Sequence, residues 1–241
     1  VRINPKTNGP ANPVYYTEFG LMRMFDQRED KLQMPEGPQR FSLPRWSPDG
    51  QRFAFLRYRS RAVEMWVGNA ERRQLQQVKN IKVNAAFGTR VFQWMPDSRT
   101  ILCQTVPAAR GKVPQRVVMA SGPVIDDTKP DPTPHRPTAD ALKDEHDQKL
   151  FVYYCQADLA LVNVDSNRHK LLRRQGGQRK PSLFIDFDVS PEGKYILVER
   201  VHPPFRLHTP ASDFARSVEV WDLKGDLKNF SLLPSSDTTQ I

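Results

Sequence analysis

Few residues in this chain have both the type and the spacing that chemistry needs. The five histidines are His135, His146, His169, His202 and His208. Two of them, His202 and His208, share the stretch VHPPFRLHTPASDFAR (201–216) with Arg206. A separation of six fits no regular metal-ligand pattern, and HExxH is absent, so they read as loop histidines. The segment DDTKPDPTP places carboxylates at Asp126, Asp127 and Asp131, but it lacks the glycine and closing glutamate of a calcium loop. Neither GxxxxGK[ST] nor GxGxxG occurs, and Gly176-Gly177 stands alone in a basic turn, so no phosphate cradle is expected. No serine sits in GxSxG, and the acids Asp144-Glu145 read as helix surface or ion pairs. The expectation is a chain with no catalytic residues of its own, no metal site and no cofactor.

Cys103 and Cys155 lie far apart with no CxxC or histidine partner, which excludes a disulfide framework and a cysteine-built zinc site. Both fall in apolar, strand-like runs and read as small buried hydrophobes, with a single bridge left open. Lysine and arginine number 36 against 27 acids, a net charge of +9. The charges are scattered, so nucleic-acid binding is the weakest of the binding classes considered. No apolar run reaches the length of a membrane span.

Behind these residues stands a repeat. RWSPDGQRFAFL (45–56), QWMPDSRTILCQ (93–104) and DVSPEGKYILVE (188–199) superimpose as an apolar approach, a Pro-acid-Gly/Ser turn and an apolar strand. Proline presets φ at the first corner, and glycine takes the positive φ where the chain reverses. Ser98 replaces glycine in the second copy, which predicts a less demanding turn there. Further strands are expected at 64–70, 158–165 and 217–225, followed by outer strands at 72–78, 169–174 and 227–233. The turn prolines Pro48, Pro96 and Pro191 stand 48 and then 95 residues apart. A strand repeat of that period, with 21 prolines and 12 glycines, predicts an all-β chain, a partial β-propeller of about three to four four-stranded blades.

The long second interval is read as an insertion in one blade at about 107–149, mostly irregular, with a degenerate blade as the alternative. It contains a proline-rich loop at 126–138 and a short helix over 138–150 with Thr138 as its cap. A smaller excursion occupies 201–216, and YYTEFGLMRMFD (15–26) reads as strands of an earlier blade. Trp46, Trp66, Trp94 and Trp221 stand at matching strand positions and are assigned to blade packing. The whole of 1–241 reads as a single propeller or part of one, with open sheet edges that could pair in an oligomer.

In this setting the chain resembles the N-terminal propeller of the prolyl oligopeptidase family of serine peptidases, and within it the glutamyl endopeptidase branch of bacteria and plant chloroplasts. The resemblance rests on VRINPKTN (1–8), WSPDG (46–50), VPAARG (106–111) with SGP (121–123), LKDEHDQKLFVYY (142–154), SPEGKYILV (190–198), HPPF (202–205) and SVEVWDLKG (217–225). It implies a parent enzyme in which the propeller precedes an α/β-hydrolase domain carrying the Ser-Asp-His triad. That domain lies outside these 241 residues, so no catalytic residue is assigned. The propeller would cap the active site, gate peptide entry and contribute substrate contacts. A glutamate preference calls for a cation, which points to Arg206, with His202 behind it. The family's arginine directly after the histidine is replaced here by Pro203. The implied partners are a peptide substrate and the hydrolase domain. The compartment is left open between an extracytoplasmic bacterial space and the chloroplast stroma. The alternative is a standalone TolB-like propeller that binds a protein partner.

Overall fold

The structure is a computed structural model that describes residues 3–116, 141–172 and 181–233. Two small hairpins come first: β1 (Ile3–Asn4) pairs with β2 (Gly9–Pro10), and β3 (Leu21–Met22) with β4 (Glu29–Asp30). Blade 1 follows as β5 (Arg45–Trp46), β6 (Arg52–Tyr58), β7 (Val63–Asn69) and β8 (Gln74–Gln77). Blade 2 comprises β9 (Phe92–Trp94), β10 (Thr100–Thr105), β11 (Asp158–Asn163) and β12 (Arg168–Leu171). Blade 3 comprises β13 (Leu183–Val189), β14 (Tyr195–Val201), β15 (Arg216–Asp222) and β16 (Leu227–Leu233). Each blade is a four-stranded antiparallel meander, so the β-propeller architecture read from the repeat is borne out.

Strand alternation explains how the blades stack. In β6, Ala54 and Leu56 point to one face and meet Ile101, Cys103, Ala160 and Val162 of blade 2. Phe53 and Phe55 point to the other face, where Phe41, Leu32 and Phe19 cover them. Phe19 meets Phe55 edge-on at 4.9 Å and Phe41 at 5.6 Å. Blade 2 turns Leu102 and Leu159 toward Phe184, Ile196, Val198 and Trp221 of blade 3. Two apolar layers therefore bind three sheets.

The recurring turns have a common geometry. Gly50, Ser98 and Gly193 lie at φ +69°, +55° and +68°. Their N–H groups donate to the carbonyls of Ser47, Met95 and Ser190 at 2.9, 3.1 and 2.8 Å. Ser98 therefore adopts the same left-handed turn as its glycine counterparts, contrary to the expected relaxation. The reason is a second bond: the Ser98 hydroxyl accepts from the backbone N–H of Asp49 in the neighbouring blade's turn, at 3.1 Å. The next pair of turns touches as well, since a Cβ on Gly193 would come 3.2 Å from Cδ of Pro96.

Other expectations are corrected. The stretch 15–26 builds no blade. It supplies one bridge, Tyr16 to Phe41, and the two-residue β3, and its aromatic Phe19 serves as a lid on blade 1. Trp46 is half exposed on its edge strand, with Phe53 edge-on at 5.5 Å, whereas Trp94 and Trp221 are buried. The described helix, α1, spans Glu145–Cys155 and is capped by Asp144. Thr138 and the loop at 126–138 lie outside the described residues. Cys155 therefore ends a helix rather than sitting in a strand, and both cysteines are free thiols. No helix among the described residues is long and apolar enough to cross a membrane.

Candidate functional site

The connection between the second and third strands leaves every blade at the same end. In blade 1 it is 59–62, in blade 3 it is 202–215, and in blade 2 it is 106–157, running from Thr105 to its register partner Asp158. The two long connections pack on each other. Phe151 of α1 meets Phe205 at 5.3 Å, Phe214 at 5.9 Å and Phe87 at 5.2 Å. Gln148 Nε2 donates to the Phe205 carbonyl at 2.7 Å, and the His208 N–H to the Leu142 carbonyl at 2.8 Å. The result is one platform built from two blades.

Local chemistry fixes the helix at both ends. The Asp144 carboxylate accepts from the Asp147 N–H at 2.8 Å, satisfying one of the orphan donors of the first turn. This bond, with Arg116 at 2.5 Å, holds the Asp144 carboxyl below its usual range. At the far end, the buried Asn84 amide donates to the carbonyls of Tyr154 (3.1 Å) and Gln156 (2.8 Å). Phe151 and Cys155 are buried in the core, and His146, Leu150 and Tyr154, with an edge of Phe151, line a cleft of about 580 Å³. Lys143 and Asp147 also line it, and Ile3 and Val113 form part of its apolar wall.

The two residues singled out in the sequence occupy different settings in the 202–215 connection. Arg206 is exposed, and its carbonyl accepts from the Thr209 hydroxyl at 3.3 Å. His202 stands at the root, partly buried, with Nε2 2.5 Å from Ser217 Oγ. Ser217 is fully buried and donates to Glu219 Oε1 at 2.9 Å. Arg200 holds the same carboxylate and reaches Ser182 Oγ at 2.8 Å, while Trp221 Nε1 donates to Glu219 Oε2 at 2.7 Å. Histidine, serine and glutamate meet here, but the serine hydroxyl points at the carboxylate and is closed to solvent. The arrangement is a positioning network, not a nucleophile with its base. Burial alone would raise the Glu219 carboxyl, but the bonds from Arg200, Trp221 and Ser217 outweigh it and keep the group ionised below the usual glutamate value.

Two features escaped the sequence reading. Blade 1 holds a counterpart of this network, with Arg57 3.9 Å from Glu64 and 5.9 Å from the Trp66 ring, and Trp66 Nε1 donating to Glu64 at 3.0 Å. Its signal was in the sequence: Val-Glu-x-Trp recurs at 63–66 and 218–221, and residues two apart share a strand face. The second is Arg110, whose guanidinium lies 4.2 Å from the Tyr153 ring and 5.5 Å from that of Tyr154. Among the described residues, no three His, Cys, Asp or Glu side chains gather closely enough to hold a metal ion.

No protein-family profile matches the chain. It is similar to a probable chloroplastic glutamyl endopeptidase of Oryza sativa subsp. japonica, 29% identical over all of this chain and 26% of the relative. It is also similar to its namesake in Arabidopsis thaliana, 30% identical over 93% of this chain and 24% of the relative. The chain thus spans about a quarter of the length of these relatives. Among solved structures, an acylaminoacyl peptidase of Pyrococcus horikoshii aligns with a TM-score of 0.45 at 17% identity, over 89% of this chain and 27% of that one. The propeller domain of the trilobed protease from Pyrococcus furiosus aligns at 0.42 and 14%, over 90% and 49%. The resemblance read from the sequence motifs is borne out. The chain is a β-propeller whose curated relatives at 29–30% identity are named probable glutamyl endopeptidases.

Proposed function

We propose that the chain caps the active site of an α/β-hydrolase domain in a glutamyl endopeptidase-like serine peptidase and gates the entry of peptides. The observation that carries this reading is the platform. Two connections from adjacent blades converge at one end of the sheets and present a cleft lined by Lys143 and His146, with Arg206 exposed on the neighbouring connection. The outward face of blade 3, where Tyr195 and Leu197 are 46% and 48% exposed, suits packing by a further blade. In this reading 1–241 is one propeller portion, with 107–149 and 201–216 as its functional excursions. Arg206 meets the carboxylate of a substrate glutamate, and His202, held by the Ser217–Glu219–Arg200 network, fixes the root of the loop that carries it.

The test is Arg206→Ala in the complete peptidase. Loss of a charge-assisted bond formed with the bound glutamate lowers kcat/KM for Glu substrates by roughly ten-fold. Unchanged kcat/KM removes Arg206 from the site.

A further inference from the structure

We infer that Arg110 is a second carboxylate-binding residue of the platform, beside Arg206, that takes an acidic side chain of a bound peptide. The inference rests on the reading of the platform as a peptide-contact surface and names a residue on it, within VPAARG, to which the sequence reading gave no role.

Arginines that serve packing in this protein are visibly saturated. Arg57 is buried and donates to the carbonyls of Pro35, Glu36 and Pro38, and Arg200 is closed by Glu219 and Ser182. Arg90 is closed by Asp186 and Asp188. Arg110 is held as firmly but by neutral partners. The Tyr153 ring lies under its guanidinium at 4.2 Å, the Tyr154 ring stands at 5.5 Å, and its Nη1 donates to Asn8 Oδ1 at 2.6 Å. A guanidinium has five N–H donors. Here one is used, and no carboxylate pairs with the group among the described residues.

The loop that carries it is also anchored. Tyr153 Oη donates to the Gly111 carbonyl at 3.2 Å, and the Arg110 N–H closes a turn to Pro107 at 3.3 Å. Gly111 sits at φ +79° with nothing within 4 Å of where a Cβ would stand, so the loop has open space beside it. Arg110 itself is only partly buried, leaving it accessible to solvent. Tyr154 faces both ways, touching Arg110 and lining the 580 Å³ cleft that His146 and Lys143 also face. A planar cation fixed by aromatic stacking and retaining its donors is pre-organised for a planar anion, because the entropy of ordering the side chain is spent before the ligand arrives. A carboxylate fits this fork, and a peptide bearing one would lay its apolar neighbours along the cleft.

The full chain is titrated by calorimetry with three short peptides. One is blocked at both ends with a central Glu, the second is its Gln analogue, and the third carries Gln with a free C-terminal carboxylate. The expected result is binding of the Glu peptide roughly ten-fold more tightly than the blocked Gln peptide. In Arg110→Met, which keeps the packing on the tyrosines, that preference is lost and the melting temperature is retained. In Arg110→Lys it is only partly restored. Preference for the third peptide over the second assigns the site to a chain terminus instead of a side chain and overturns the proposal, as does equal or absent binding of all three. If discrimination persists in Arg110→Met but disappears in Arg206→Met, the Arg110 assignment falls and the peptide-contact reading stands. If Arg110→Met abolishes it while the complete peptidase shows no preference for glutamate, the assignment stands and the reading of the parent enzyme falls.

Discussion

Glu219 shows how a single residue can be both buried and charged. It is 1% exposed, yet five atoms in four side chains are arranged around it: Arg200 through two nitrogens, Ser217, Trp221, and His202 one bond further out. Removing the carboxylate leaves Arg200 with an uncompensated buried charge. Glu219→Gln should therefore lower unfolding free energy by about 3–5 kcal/mol, read from urea midpoints at neutral pH. A midpoint within error of wild type would reduce the network to decoration. The pH dependence has a definite sign. The folded carboxyl titrates below the unfolded value of 4.5, so its contribution is present above that pH and is lost as pH falls through the folded value. In Glu219→Gln this acid-dependent loss should be missing.

At the scale of elements, the platform is cooperative because one ring joins its halves. Phe151 is 2% exposed and touches Phe205 and Phe214 of the other connection. Phe151→Ala should cost about 3–5 kcal/mol. By hydrogen exchange it should loosen both 141–155 and 202–215 while leaving the amides of β6 and β7 protected. Uniform acceleration across all three blades would mean that the platform is not a separate unit. How much of these elements the sequence disclosed depended on range. The Pro-Asp-Gly turns were legible because φ preferences act within four residues. The expected cap Thr138 lies outside the described residues, whereas 141–144, expected as helix, are not helical, and α1 begins after Asp144, which Asp147 and Arg116 hold. Its last turn, FVYYC, is apolar and aromatic enough to pass for strand, and burial of Phe151 and Cys155 beneath the second connection, with Asn84 bonding the carbonyls at its end, favours the helix. Arg110 could not have been found locally, since its rings lie more than forty residues away in the chain. Ser98 was read for its own turn, while its conformation is secured by Asp49 of another blade.

At the scale of the whole molecule, the two thiols sample different regions. Cys103 lies in the layer between blades 1 and 2, and Cys155 in the platform core. Burial pushes both thiols far above the ordinary cysteine range, so neither supplies thiolate in the folded state. Both should resist a thiol reagent at mildly alkaline pH and react together once denaturant unfolds the chain. Prompt native labelling of Cys103 would contradict the packed sheets. Prompt labelling of Cys155 alone would show the platform opening on its own.

The connection within blade 2 also bears on how the chain can fold at all. Its central strands are joined across 106–157, against 59–62 in blade 1, a loop about thirteen times longer. Loop-closure entropy grows with the logarithm of length, so bringing Thr105 to Asp158 costs about 2 kcal/mol more than the matching step in blade 1. Packing of α1 shortens the free chain that must be closed and returns its end to Ala157, which bridges Ser182 beside the start of β11. The helix that lines the cleft is thus also the staple that completes its own blade, and a change to one role is a change to the other.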